Sequence, residues 1–242
     1  MWYTMTAVFL SDAHLKNKYS EGYRNLLDFL LSLRGEISDL FVVGDLFDFW
    51  FCRNDTIYPD FEAVINVLLK LKDEGVAIHL FEGNHDFFLA GFFEKYGIRV
   101  FPEGTMMEMD EKKIFVSHGD TIDTTNTPYL FLRRFLRSRV FYMTQKALPP
   151  AFLWKVAEVS SKMSKDHLAR PPDGTIDTMR SFSLKKFRQD CDAAIFGHCH
   201  TPLIEHYAID GRKKTFSILG DWIHYYSYLM YRDGEFVLLT YK

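Results

Sequence analysis

Cysteine is scarce in this chain: Cys52, Cys191 and Cys199 are three residues among 242. An odd number at these spacings fits neither a disulfide framework nor a CxxC zinc ribbon, and reduced thiols filling core space are expected. Missing too is any run of roughly 18 apolar residues, so no membrane-spanning helix is expected. Met1 to Leu10 lacks a basic segment followed by a small-residue cleavage site, and the protein is expected to be soluble and cytoplasmic. There is no internal repeat and no low-complexity tract. A net charge of −3 and a pI of about 6.3 lie far from the basic balance that favours binding a phosphate backbone, so no nucleic-acid partner is expected.

What the chain does have is apolar material, 48% hydrophobic and 17% aromatic, enough for one large core and a single domain over residues 1–242. Charge is unevenly spread. Between Thr127 and Lys165 eight basic side chains face one acid, Glu158, a local balance of +7 that leaves −10 for the rest. An anionic partner is expected there.

Short apolar runs alternate with longer helical patterns through the first 120 residues, predicting a layered α/β fold. Strands are predicted at Ala7 to Leu10, Leu40 to Val43, Ala77 to Phe81 and Lys113 to Ser117, and helices over Glu21 to Arg34 and Asp60 to Glu74. The last third predicts strands at Ala194 to Phe196, Leu203 to Ile209, Lys214 to Leu219, Tyr225 to Tyr231 and Glu235 to Tyr241. Asp210-Gly211 and Asp233-Gly234 read as hairpin turns. Two packed sheets flanked by helices follow from this. A helical insertion interrupts them, with Pro149-Pro150 as the expected break between its helices.

Five blocks recur at the predicted strand ends: Ser11-Asp12-Ala13-His14, Gly44-Asp45-Leu46-Phe47-Asp48, Gly83-Asn84-His85-Asp86, His118-Gly119-Asp120 and Gly197-His198-Cys199-His200. Residues beyond the carboxyl ends of parallel strands converge on one crevice, so distant blocks can meet. Asp12/His14 and His198/His200 share an i, i+2 spacing that places both side chains on one face of an extended backbone. Glycines beside Asp45, Asn84, His118 and His198 allow sharp turns. Imidazole with carboxylate and amide oxygen suits Mn, Fe, Zn or Co, and Asp12, His14, Asp45, Asn84, His118, His198 and His200 exceed what one tetrahedral ion uses. Two ions about 3.5 to 4 Å apart would use them and clamp a displacement at phosphorus. His85 is placed to contact a phosphate or protonate a leaving oxygen. Asp48, Asp86 and Asp120 are candidates to orient imidazoles.

In this order the blocks resemble the calcineurin-like metallophosphoesterase family, over essentially the whole chain. The resemblance implies a four-layer α-β-β-α sandwich with a helical cap insertion at about 127–170. It also implies one metal, most readily manganese, on Asp12, His14, Asp45 and His200. A second would lie on Asp45, Asn84, His118 and His198, with Asp45 bridging and Asp45, Asn84 and His85 catalytic.

Within that family the chain is similar to the branch that hydrolyses UDP-2,3-diacylglucosamine in lipid A biosynthesis. The residues behind this are Gly44-Asp-Leu-Phe-Asp-Phe-Trp50, Gly83-Asn-His-Asp-Phe-Phe-Leu89, His118-Gly-Asp-Thr121, Tyr129 with its trailing arginines, and Gly220-Asp-Trp222. This implies cleavage at the α-phosphate to UMP and a diacylglucosamine 1-phosphate. Substrate contacts would come from Asn84, His85, Asn126, Tyr129, Ser164, Lys165, Arg170 and His198. The basic, aromatic cap would cover acyl chains or meet an anionic membrane surface. His85 departs from the arginine of that branch, and Asn126 stands where an aspartate is expected. Two alternatives stay open: a phosphodiesterase or nucleotide pyrophosphatase acting on a soluble substrate, and a metal-free scaffold of the same fold.

Overall fold

The computed structural model describes residues 5–51, 55–149, 151–155 and 174–242. β1 (Thr6–Leu10), β2 (Asp39–Val43), β3 (Ala77–Phe81) and β4 (Arg99–Phe101) run parallel to one another, and β10 (Ser227–Arg232) and β11 (Glu235–Thr240) extend the same sheet antiparallel from β1. The second sheet has the order β5-β6-β7-β9-β8, from β5 (Thr105–Met109), β6 (Lys112–Ser117), β7 (Ala193–Phe196), β8 (Leu203–Ile209) and β9 (Arg212–Ile218). β6, β7 and β9 are parallel, and the two edge strands are antiparallel to them.

Strand alternation sorts the layers. Ala7, Phe9, Phe41, Val43 and Phe81 point inward to meet Ile114, Val116, Ala193 and Ile195 between the sheets, with Phe9 stacked on Phe41 at 4.3 Å. The opposite set, Val8, Leu10, Leu40, Val42 and Leu80, packs under α1 (Glu21–Ser32) and α2 (Glu62–Asp73). On the second sheet, Phe115, Ala194, Phe196, Phe216 and Ile218 pack against Met179 and Phe187 of α6 (Thr175–Phe187). The result is helix, sheet, sheet, helix. Both Asp-Gly pairs close hairpins with two successive positive φ values, 50° and 73° at Asp210-Gly211 and 54° and 81° at Asp233-Gly234, as a type I′ turn requires.

Two strands and a short helix escaped the sequence reading. β4 is three residues long, β5 reads Thr-Met-Met-Glu-Met with little β preference, and α3 (Ala90–Phe93) is a single turn. The insertion breaks at Pro149-Pro150 as expected, helix ending at Ala147 and resuming over 151–155, but it also breaks once more before the prolines. α4 (Thr127–Leu136) stops, and α5 (Arg139–Ala147) restarts on Ser138, whose hydroxyl accepts from the Phe141 amide.

Two arginines fasten α4 to the body. Arg133 Nε donates to Asp120 at 2.7 Å and its terminal nitrogens to Glu103. Arg137 donates to Glu82 at 2.9 Å, to the Pro102 carbonyl at 2.9 Å and to the Gly83 carbonyl at 2.7 Å. Phe131 (76% exposed) and Val140 (74% exposed) face solvent. Among the described residues no helix is long and apolar enough to cross a membrane.

Candidate dimetal centre

Each block lies just beyond a strand: Asp12 and His14 after β1, Asp45 after β2, Asn84 and His85 after β3, His118 after β6, His198 and His200 after β7. Three blocks come from one sheet and two from the other. Backbone hydrogen bonds stitch them together: Asp12 N to Gly44 O (3.1 Å), His14 N to Asp45 O (3.0 Å) and Gly197 N to His118 O (3.0 Å). Across the sheets the His198 amide donates to Asp12 Oδ2 at 2.9 Å.

The i, i+2 pairs do not share the face of an extended backbone, contrary to expectation. Asp12 (φ 54°), His14 (43°), Asp45 (53°), His198 (66°) and His200 (54°) are all left-handed. That conformation costs of order 1–3 kcal/mol at a non-glycine residue, and the surrounding fold holds it here. Close packing does the rest: a Cβ on Gly83 would sit 2.0 Å from Asp45 Oδ1, and one on Gly44 2.5 Å from His118 Nδ1.

Donor atoms of Asp12, His14 and His200 lie within 4.8 Å of one another, as do those of Asp12, Asp45 and His118, and those of His14, Asp48 and His85. Asp45 Oδ2 is 3.7 Å from His14 Nε2 and 3.4 Å from His118 Nε2, between the two groups. Asn84 Oδ1 completes the far side, 3.0 Å from His118 Nε2 and 3.1 Å from His198 Nδ1. All seven expected ligands therefore converge, with Asp45 central.

The donor chemistry fits cations. His118 Nδ1 is 3.0 Å from the Val43 carbonyl, which accepts its proton and turns the Nε2 lone pair toward Asn84 and Asp45 oxygens. Lone pair against lone pair is repulsive unless a proton or metal ion intervenes. Burial favours the neutral ring, yet Asp45, Asp12 and Asp120 outweigh it and push the His118 pKa up to about 10. Burial instead drives His14 well below the ordinary imidazole range and His198 down to about 4, leaving both neutral, the ligating form. Both nitrogens of buried His14 lack a hydrogen-bond partner, and metal coordination through one of them relieves that one.

Of the three carboxylates expected to support the imidazoles, Asp48 faces one and the other two are engaged elsewhere. Asp86 orients no imidazole; it accepts from the amides of Asp45 (3.0 Å), Phe47 (3.1 Å) and Gly83 (2.9 Å), fixing the Asp45 turn. Asp120 accepts from Tyr129 Oη at 2.7 Å and from Arg133. Asp48 stands 3.7 Å from His14 Nδ1. The clearest imidazole partner is Asp221, 3.3 Å from His200 Nδ1, with its other oxygen accepting from the amides of Ile223, His224 and Tyr225. Gly220-Asp-Trp222 was visible in the sequence, without the ring partner that would have revealed the role.

Of the expected substrate contacts, His85 stays at the centre, its Nδ1 3.2 Å from the Asp48 carbonyl and its ring edge-on to His14 at 4.7 Å. The Asn126 side chain caps α4 by accepting from the Tyr129 amide. The Tyr129 hydroxyl is engaged by Asp120. Ser164, Lys165 and Arg170 lie outside the described residues, as does Cys52. Beside His14 and His200 opens a cavity of about 1040 Å³ that runs past Lys16, Glu21 and the Asp221–Tyr226 turn.

Known proteins share this plan. A protein named UDP-2,3-diacylglucosamine hydrolase from Stenotrophomonas maltophilia is 31% identical over 98% of both chains. Its namesakes from Neisseria gonorrhoeae (30%, 94% of both chains) and Nitrosococcus oceani (29%, 90% of this chain and 88% of that one) are similarly related. An archaeal phosphodiesterase structure superposes with a TM-score of 0.50 at 13% identity, covering 97% of this chain and 99% of that one, a likeness of fold. The family model for calcineurin-like phosphoesterases matches residues 5–202, a span holding every residue of the converging donor set, and the chain belongs to that family of metal-dependent phosphoesterases.

Proposed function

We propose that the protein hydrolyses UDP-2,3-diacylglucosamine at the α-phosphate, giving UMP and 2,3-diacylglucosamine 1-phosphate in lipid A biosynthesis, with two manganese ions. The observation that carries this reading is near full-length similarity to proteins of that name, joined to an aromatic, basic insertion fastened beside the centre. Asp12, His14, Asp45 and His200 would hold one ion; Asp45, Asn84, His118 and His198 the other. Such ions supply Lewis acidity toward phosphoryl oxygens and acidify water. Asp45 keeps the two groups in register, and Asn84 offers its amide to both His198 and the phosphate side. His85, held through Nδ1, would use Nε2 to deliver a proton to the leaving oxygen.

The exposed Phe131, Phe135 and Val140, near Arg134 and Arg139, suit contact with acyl chains or an anionic membrane surface, peripheral at the inner face of the cell membrane. The protein folds as one domain carrying this cap. Asn126, Tyr129, Ser164, Lys165 and Arg170 remain its proposed substrate contacts, the first two after release from their present partners.

The test is UMP release from UDP-2,3-diacylglucosamine by protein loaded with manganese. An intact lipid substrate beside rapid cleavage of simple phosphodiesters would overturn the specificity. His85 in place of arginine favours a second reading, a soluble nucleotide pyrophosphatase. Charging the exposed Phe131, Phe135 and Val140 separates the two, removing most activity under the first reading and little under the second.

A further inference from the structure

The cap and the large cavity flank the centre on different sides. Arg137 of α4 grips Glu82 and the Gly83 carbonyl, next to Asn84, and Arg133 grips Asp120, two residues from His118. The cap is thus fastened to the loops that carry Asn84 and His118. The 1040 Å³ cavity is lined instead by His14, His200 and Asp48, and runs away from them between the start of α1 and the Asp221–Tyr226 turn. A diphosphate seated across the centre would have one arm toward the cap and the other toward this cavity.

The chemistry of the cavity wall differs from that of the cap. Tyr225 lies against it and is 46% exposed. The neighbouring Tyr226 is held with φ at 49° and its ring 6.3 Å from Trp222. Lys16 enters beside Asp48, their charged groups 3.3 Å apart. Glu21, in the first turn of α1, presents a carboxylate to the same space. The turn is rigid, since Asp221 accepts three of its amides and Gly22 passes so close that a Cβ would meet the Trp222 carbonyl at 2.5 Å.

We infer that this cavity is the seat of the nucleoside half of the substrate, with Tyr225 as the stacking face for the base, Glu21 as acceptor for the ribose hydroxyls and Lys16 near the nucleotide phosphate. An exposed aromatic ring accepts any base face, and a carboxylate paired with a vicinal diol is a recurrent ribose contact. The inference rests on the proposed UDP-linked substrate and adds which end lies where.

The experiment measures UMP binding to the manganese-loaded protein by calorimetry, for wild type, Tyr225→Ala, Tyr225→Phe and Glu21→Gln, with metal content as the control for an intact centre. Tyr225→Ala is expected to weaken UMP roughly tenfold, given the usual worth of one base–aromatic stack. Tyr225→Phe should restore it. Glu21→Gln should weaken UMP while leaving 2′,3′-dideoxy-UMP at its wild-type affinity. Equal UMP affinity in wild type and Tyr225→Ala, or no UMP binding by wild type, overturns the inference. Cleavage of UDP-2,3-diacylglucosamine by wild type is scored separately. If it occurs while UMP affinity ignores Tyr225, the placement alone falls; if it fails while Tyr225 still governs UMP affinity, the lipid substrate falls and the nucleotide site stands.

Discussion

At the scale of single residues, the centre depends on positions with no room to spare. Gly83→Ala would drive a methyl group into Asp45 Oδ1 and displace the central carboxylate. Phosphodiester turnover is expected to fall about a hundredfold, the usual consequence of a 1 Å misplacement, with a matching loss in metal content by elemental analysis. Asp221→Asn leaves every donor atom in place but removes the charge behind His200. Metal affinity should weaken about 10–100-fold, measured by competition with a fluorescent chelator, while the melting temperature of the metal-free protein changes little by comparison. The donor types at these positions were legible from the sequence because five weak blocks recurred at strand ends. Their left-handed backbone was not, since even a several-fold enrichment of Asp and His there leaves most of them in ordinary conformations, and neither was Asp221, whose partner lies in another block.

At the scale of elements, the connections between layers matter most. Glu82 has a nearly buried side chain, and Arg137 is its cation partner. Arg137→Ala is expected to cost about 3–5 kcal/mol by leaving that charge unpaired, whereas Arg137→Ala combined with Glu82→Gln should recover much of it in urea denaturation. On the second sheet, Lys214 is buried to 2% side-chain exposure with Asp192 at 2.8 Å. Burial raises the Asp192 pKa, but the Lys214 hydrogen bond, the Lys113 amide and the charges of Lys214 and Arg212 prevail and hold it below the ordinary value. A depressed carboxylate pKa stabilises above the unfolded-state value and loses that contribution as pH falls through the folded value. Asp192→Asn should therefore be about 1–2 kcal/mol less stable at pH 7, and the gap should close on acidification below about pH 4. Long periodic helices and Asp-Gly hairpins were legible because their signals are local. β4, β5 and the break at Ser138 were not, being short or dependent on what packs against them.

At the scale of the whole molecule, the centre joins the two sheets, drawing Asp12, His14, Asp45 and Asn84 from one and His118, His198 and His200 from the other. Ions that bind only the folded state stabilise it by mass action. Chelation by EDTA is expected to abolish phosphodiester hydrolysis and lower the melting temperature, with manganese restoring both. Unchanged melting would mean that metal occupancy contributes nothing to holding the sheets together. The two-sheet plan was legible in outline from an α/β opening and a β-rich end. Strand order was not, because β1 takes its partner from near the other end of the chain, Thr6 opposite Arg232.

That last pairing bears on how the protein is made. Until β10 has left the ribosome, the flank of β1 that it will cover is an open row of amides and carbonyls on an apolar ribbon, the kind of border that recruits strands from other chains. Nascent protein should therefore be most prone to clumping late in translation, and a chain halted before Ser227 should accumulate as inclusion bodies although every candidate ligand has already been synthesised.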